Sequence, residues 1–337
     1  KGETTTLSVE VYGVVEDDGE RERLPLSAFE TDLRFETDLL GDGSTTVEPV
    51  AGEAEGSLAP PEVTGVSAEW GEATDEHTEV VTAVGVQNPG GSAYGDFVEL
   101  ELQEETTING VVASEGSTAT ELPDGNGTVT LVSRMDNGAV PRWWSRHLEN
   151  GERSAVRTET RGTADAGVTA LPLALPDRKR TVETDVLATL NSDEPSTVTV
   201  AGQDAVTVEG TAAEWGESTP ERAAVEMTVT VTNERSVPVT LRDVTYTVAL
   251  NDVRLADERD LDRTVELPPG TTCTVEFTLY LDNSKTAAWW PTHVRNGERS
   301  ELRTDARGTV EVYGVSNRVD LDFLGTNATV ETDLLAG

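Results

Sequence analysis

The chain has 337 residues, with 63 acidic side chains against 25 basic ones and a formal net charge of -38. That balance argues against nucleic acid or an anionic membrane as a direct partner, since both need a basic patch. The single cysteine, Cys273, excludes an intramolecular disulfide and a thiolate metal centre. Only Lys1, Lys179 and Lys285 are lysines. Such a composition suits a folded protein in molar salt, where a Debye length of about 3 Å screens carboxylate repulsion.

Taken in chain order, the elements repeat. Leu7 to Tyr12 (LSVEVY) matches Thr309 to Tyr313 (TVEVY), and Glu36-Thr37-Asp38 returns as Glu183-Thr184-Asp185 and Glu331-Thr332-Asp333. Residues 1–58 therefore read as the C-terminal part of a domain plus a connector. The Gly-, Glu-, Thr- and Pro-rich stretch 41–61 is that connector. The numbering begins inside a repeat, so the expectation is either a processed or trimmed chain or a missing upstream segment, where any anchor or export signal would lie.

Trp70-Gly71-Glu72 opens the first full unit, residues 59–205, and returns 145 residues later as Trp215-Gly216-Glu217 in the second, residues 206–337. Turn chemistry falls at Asn88-Pro89, Asn109-Gly110, Asn251-Asp252 and Pro268-Pro269-Gly270, and Asn-Gly is a two-residue hairpin signal. Asp136-Asn137 and Asp282-Asn283 suit a turn or N-cap. Pro141 to Glu149 and Thr286 to Arg295 carry apolar residues at helical spacing, and Asn150-Gly151 and Asn296-Gly297 stop them. Each helix is expected to cross one end of its domain. Residues 191–202 read as a second extended connector.

Elsewhere the period is two. Val225, Met227, Val229 and Val231 alternate with polar residues, as do Val244, Tyr246, Val248 and Leu250, and Cys273, Val275, Phe277, Leu279 and Leu281. One face of each strand packs and the other is wet. The expected fold is all-β: tandem immunoglobulin- or fibronectin-like β-sandwiches, each with one short helix. Cys273, on the side of Val275 and Phe277, is expected to be buried. No apolar run approaches the roughly 18 residues of a membrane helix.

The order of these motifs carries a resemblance. Trp-Gly-Glu is followed by Asn88-Pro89 or Val231-Thr232-Asn233, then residues 250–256 (LNDVRLA), Leu267-Pro268-Pro269-Gly270, residues 281–285 (LDNSK) and the Trp-Trp…His…Asn-Gly-Glu block. The chain resembles the type 2 late-embryogenesis-abundant family with its water stress and hypersensitive response (WHy) domain, in the tandem form of halophilic archaea. The resemblance implies a seven-stranded sandwich with a helix, a link to water-stress tolerance, no catalysis and attachment at the cell surface. The first unit departs from the pattern at Asn109-Gly110 and has a shorter loop after it.

Candidate sites follow from the duplicated residues. Trp143-Trp144 and Trp289-Trp290 offer aromatic platforms for a glycan or a membrane interface; the plainer reading is that they close the end of each sandwich. Trp70 and Trp215 belong to the same structural set. His147 and His293 each lack a neighbouring cysteine or second histidine, so they read as satisfied helix histidines rather than metal ligands. Arg153, Arg157 and Arg161, repeated as Arg299, Arg303 and Arg307, are expected in buried or stacked pairs with carboxylates. Asp17-Asp18-Gly19 and Asp124-Gly125-Asn126 attract cations without matching a calcium loop. Asn126 and Asn327 begin glycosylation triplets. No catalytic residue, metal site or cofactor is assigned.

The expectation is a non-enzymatic, halophilic cell-surface protein that protects against water or desiccation stress, tethered only through an anchor outside this chain. The alternative is a subunit of a surface filament or layer, self-associating through open strand edges of the N-terminal partial domain.

Overall fold

The computed structural model describes residues 61–88, 98–165, 170–200 and 202–335, and the backbone of five strands before residue 61. Those five are β1 (Glu3–Val9), β2 (Tyr12–Asp17), β3 (Glu20–Pro25), β4 (Thr31–Thr37) and β5 (Thr45–Pro49). β4 pairs antiparallel with β1 and β5, and β2 pairs with β3. Apart from β5, the connector expected over 41–61 lies almost wholly outside the described residues. So do Asp18-Gly19 and, for their side chains, the strand faces of this segment.

The first unit contains β6 (Glu62–Ala73), β7 (His77–Gln87), β8 (Glu99–Ile108), β9 (Val111–Glu121), β10 (Asn126–Asp136), helix α1 (Val140–Glu149), β11 (Arg153–Asp165), β12 (Ala170–Leu173) and β13 (Arg178–Glu183). The second contains β14 (Ser196–Val200), β15 (Gln203–Ser218), β16 (Arg222–Asn233), β17 (Val239–Leu250), β18 (Val253–Asp260), β19 (Val265–Leu267), β20 (Thr271–Asp282), helix α2 (Thr286–Arg295), β21 (Arg299–Val312), β22 (Val315–Asp320) and β23 (Thr326–Glu331). The protein is all-β with two short α-helices among the described residues. Those helices run where the apolar spacing places them, and none of the described helices is long and apolar enough to cross a membrane.

In the second unit β14-β15-β16-β20 form one sheet, and β17 and β21, flanked by β18, β19, β22 and β23, form the other. Alternation fixes the inner faces: Val225, Met227, Val229 and Val231 of β16 face Val244, Tyr246, Val248 and Leu250 of β17, and all are buried. β14 pairs with β15. The stretch 191–202 is therefore not a plain connector, and this sheet starts near residue 196 rather than 206. In the first unit the layer β6-β7-β10 is joined to β8-β9 by pairing of Arg134 with Glu115 and Met135 with Ser114, so one sheet curls round the core. Gly116 permits that approach, because a Cβ there would stand 2.6 Å from the Ser133 Cα.

Cys273 lies on the core side of β20, opposite Val231, but is only half-buried, near the start of that strand. The six repeated arginines depart further from expectation. They point outward from β11 and β21 and pair on the surface, as Arg153 with Glu183 at 2.7 Å and Arg299 with Glu331 at 2.6 Å. Arg161 pairs with Glu159 and Arg307 with Asp320 in the same way. A spacing of four keeps all three on one strand face, and the serine and threonine phase between them faces in. No arginine stacks on a tryptophan among the described residues.

Candidate functional site: the paired tryptophan helices

Each helix is set by local chemistry. Asp136 accepts from Gly138 N at 2.8 Å and Asp282 from Ser284 N at 3.0 Å, capping the turn that feeds the helix. At the other end Gly151 and Glu152 have φ of 67° and 59°, and Gly297 and Glu298 have 67° and 58°. A left-handed glutamate is uncommon and persists where the surroundings fix it. Here its carboxylate does so. Glu152 Oε2 accepts from Thr184 Oγ1 at 2.7 Å and Val186 N at 2.6 Å; Glu298 Oε2 accepts from Thr332 Oγ1 at 2.7 Å and Leu334 N at 2.8 Å.

The other oxygen of each glutamate crosses to the other unit. Trp215 Nε1 donates to Glu152 Oε1 at 2.8 Å, and Trp70 Nε1 donates to Glu298 Oε1 at 2.8 Å. Both tryptophans sit at bulged strand ends, where the register shifts between Trp70 and Ala73 and between Trp215 and Ser218. A bulge re-aims a side chain, and here it turns the indole toward the neighbouring unit. Trp-Gly-Glu is thus the end of β6 and β15, directly before β7 and β16.

Between these cross-links the helices face each other. Trp143 meets Trp290 with ring centroids 5.2 Å apart, and Trp144 meets Trp289 at 5.3 Å. These glutamate and ring contacts occur twice in opposite senses, the pattern of an isologous interface; Trp70 against Trp290 at 5.6 Å and Arg295 Nε donating to Ala73 O at 3.0 Å add to the join from one side. All four rings are buried and belong to one apolar cluster that includes Met135, Val140 and Leu148 of the first unit and Leu250, Leu279 and Val294 of the second. The tryptophans therefore seal the join between units, each helix lying against the other unit's β15 or β6, rather than closing separate ends.

Behind the rings runs a directed hydrogen-bond chain. Thr184 Oγ1 gives its proton to Glu152, so it accepts from His147 Nε2 at 2.8 Å. His147 Nδ1 is then the acceptor, and Ser154 Oγ donates to it at 2.9 Å. Ser154 in turn accepts from Trp143 Nε1 at 2.8 Å and Asn109 Nδ2 at 3.3 Å, which fills its capacity. Trp289, Ser300, His293, Thr332 and Glu298 repeat the chain with distances of 2.7–2.8 Å. Both histidines are therefore neutral. Burial pushes each down from 6.5 to about 4, with the Glu152 charge opposing the shift at His147. Trp144 and Trp290 leave their Nε1 atoms without an acceptor, packed edge-on to the adjacent indole at 76° and 70°.

A serine bonded to a histidine with a carboxylate behind it invites comparison with a nucleophile and its base. Ser154 and Ser300 are buried, their lone pairs are engaged, and the tryptophans cover them. What the arrangement does chemically is lock two domains together. Sequence reasoning singled out the tryptophans and histidines but missed Glu152, Glu298, Ser154, Ser300, Thr184 and Thr332. The signal was present, since Asn-Gly-Glu-Arg-Ser and Glu-Thr-Asp recur with them. Among the described residues no group of three or more His, Cys, Asp or Glu is placed to hold a metal. Asn126 and Asn327 are exposed at strand starts.

Residues 228–323 match the family model described as late embryogenesis abundant protein, which supports a family of that kind. A protein of Archaeoglobus fulgidus known from its crystal structure is 29% identical, over 38% of this chain and 99% of that one, with a TM-score of 0.35. An Arabidopsis thaliana protein with a solution structure is 14% identical, over 43% of this chain and 89% of that one, with a TM-score of 0.28. A putative beta-galactosidase of Bacteroides fragilis is 12% identical, over 75% of this chain and 33% of that one, with a TM-score of 0.21. No curated protein matches the chain.

Proposed function

We propose that this protein is a non-enzymatic stress-protection protein of the late-embryogenesis-abundant kind, working at the surface of a cell that lives in molar salt. The observation that carries the reading is the clasp. The residues with chemical potential that the chain duplicates are spent on joining two sandwiches, which leaves an outer surface dominated by carboxylates. The family match over 228–323 agrees with a non-catalytic, stress-related role. A rigid pair of domains with a net charge of -38 holds hydration and counter-ions, and stays dispersed where other proteins salt out.

Two measurements test this. On dialysis from molar salt to below a few hundred millimolar, the Debye length grows toward 10 Å and the melting temperature should fall. A melting temperature that holds removes the salt-adapted part. In the second, a desiccation-sensitive enzyme is dried with this protein and with an equal mass of lysozyme. Protection no better than lysozyme removes the water-stress part.

A further inference from the structure

The tryptophans, histidines, serines, threonines and glutamates of the clasp are the same in both units, so they cannot tell one sandwich from the other. One layer of the cores can. In the first unit the Glu104 side chain is buried between the sheets. It accepts from Thr82 Oγ1 at 3.0 Å and Ser133 Oγ at 2.8 Å, from the β7-β10 sheet layer. It also accepts from Thr160 Oγ1 at 3.2 Å and the Arg178 guanidinium at 3.1 Å, from its own layer, β8-β11-β13. Strand register places Tyr246 at the position of Glu104, Met227 at that of Thr82, Leu279 at that of Ser133 and Ala306 at that of Thr160. There the Tyr246 hydroxyl crosses between layers instead, accepting from Tyr280 N at 2.8 Å and donating to Tyr280 O at 3.1 Å.

We propose that the carboxylate–hydroxyl layer of the first unit makes each sheet select its own partner, and so prevents a first-unit sheet of one chain from pairing with a second-unit sheet of another. Neighbouring similar domains misassemble by exchange of this kind. A mixed sandwich that set β8-β11 against β16-β20 would place Glu104 opposite Met227 and Leu279. The carboxylate would keep Thr160 and Arg178 and lose both donors from the facing layer. A buried charge stripped of hydrogen bonds is strongly disfavoured. The reciprocal mixture would bury the Thr82 and Ser133 hydroxyls without their acceptor. The native pairing satisfies all of these groups together.

The test uses the full chain, unfolded in denaturant and refolded in molar salt over a range of protein concentrations. Mass is read by light scattering before and after. Wild type should return to its starting mass at every concentration. Thr82→Val/Ser133→Ala, near-isosteric, removes the two facing donors and makes native and mixed settings alike for Glu104. It should yield larger species that persist on dilution, at a fraction about tenfold or more above wild type. The set T82M/E104Y/S133L/T160A, which gives the first unit the second unit's layer, should do the same by another route. Either variant refolding only to the starting mass across the range, or wild type forming the persistent larger species to the same extent, would overturn the proposal.

Discussion

Glu104, Thr82, Ser133 and Thr160 fill one core layer of the first unit, whereas Tyr246, Met227, Leu279 and Ala306 fill the corresponding layer of the second. The first sandwich is closed by β9 bonding to β10; in the second, β18 and β20 lie in separate sheets. Yet the clasp is repeated nearly atom for atom, down to both left-handed glutamates. A core layer answers only to itself and can be polar or apolar as long as its groups are satisfied. An interface with two-fold character answers to both units at once. Each residue acts in the copy made by its own unit and must also fit the copy made by the other.

The comparison is broken most severely by acid. His147 and His293 are held neutral, with folded values of about 4 against 6.5 when unfolded. Between those values the unfolded chain binds more protons at these two sites, so their contribution to stability is complete above about pH 6.5 and is lost as pH drops toward 4. Each histidine accounts for roughly 3 kcal/mol over that window, about 6 kcal/mol for the pair. Denaturant unfolding in molar salt from pH 7 to 4 measures it, with His147→Asn/His293→Asn as the reference that lacks the two groups. Identical pH slopes for the two proteins would mean the histidines are not sealed in the clasp.

Next in size are the rings. Trp290→Ala should cost about 3–5 kcal/mol, as for other large-to-small changes at buried sites, and Trp144→Ala should cost about the same. Equal losses are the signature of a symmetric join. If Trp144→Ala proved silent while Trp290→Ala did not, the tryptophans would belong to separate domain ends after all.

The sequence made the helix bounds, the inward strand phases and the burial of the tryptophans legible, because these follow from spacing within a few residues. It did not disclose which surface the rings meet. Trp70 and Glu298 are 228 positions apart, and a repeated motif says which residue is constrained without saying against what. Glu104 is an intermediate case. Leu100, Leu102, Glu104 and Ile108 share one strand phase, so a carboxylate on the inward face was visible, while its hydroxyl partners lay on three other strands. The arginines misled because charge was weighed without phase: Arg153, Arg157 and Arg161 alternate with the buried Ser154, Val156, Thr158 and Thr160 and so had to face out.

A smaller effect tests the crossing glutamates one at a time. Glu152→Gln turns a donor toward Trp215 Nε1 or toward Thr184 and Val186 N, whichever way the amide lies. A loss of about 1.5–3 kcal/mol is expected, as for a hydrogen bond to a charged group. Glu298→Gln should match it through Trp70, Thr332 and Leu334 N. The cost must also appear across the join. With 5-fluorotryptophan in place of tryptophan, the fluorine resonance of Trp215 should shift with Glu152→Gln and hold with Glu298→Gln. A response to both, or to neither, would uncouple that indole from the first unit's carboxylate.

The smallest effect separates the units where they differ most locally. The hairpin of the first unit turns through Asn109 and Gly110 with φ of 49° and 70°, the pair of positive values that a type I′ turn needs. In the second unit Asn251 has φ of 52°, and Asp252 is outside the positive range. A Cβ on Gly110 would meet only the Arg146 guanidinium at 3.6 Å, so space is no obstacle and the penalty of Gly110→Ala is conformational. It should be about 1 kcal/mol. Asp252→Ala carries no such penalty, lies at the surface of a turn, and should fall within about 0.5 kcal/mol of wild type. Both asparagines hold the strand that leaves the helix, β11 or β21: Asn109 Oδ1 accepts from Ala155 N at 2.8 Å and Asn251 Oδ1 from Glu301 N at 3.0 Å. The turn is therefore tied to the serine of the clasp, one residue earlier, to which each asparagine Nδ2 also donates, at 3.3 Å for Ser154 and 3.2 Å for Ser300. If Gly110→Ala and Asp252→Ala cost the same in denaturant unfolding, the two hairpins share one backbone geometry, and the local divergence between the units is confined to their cores.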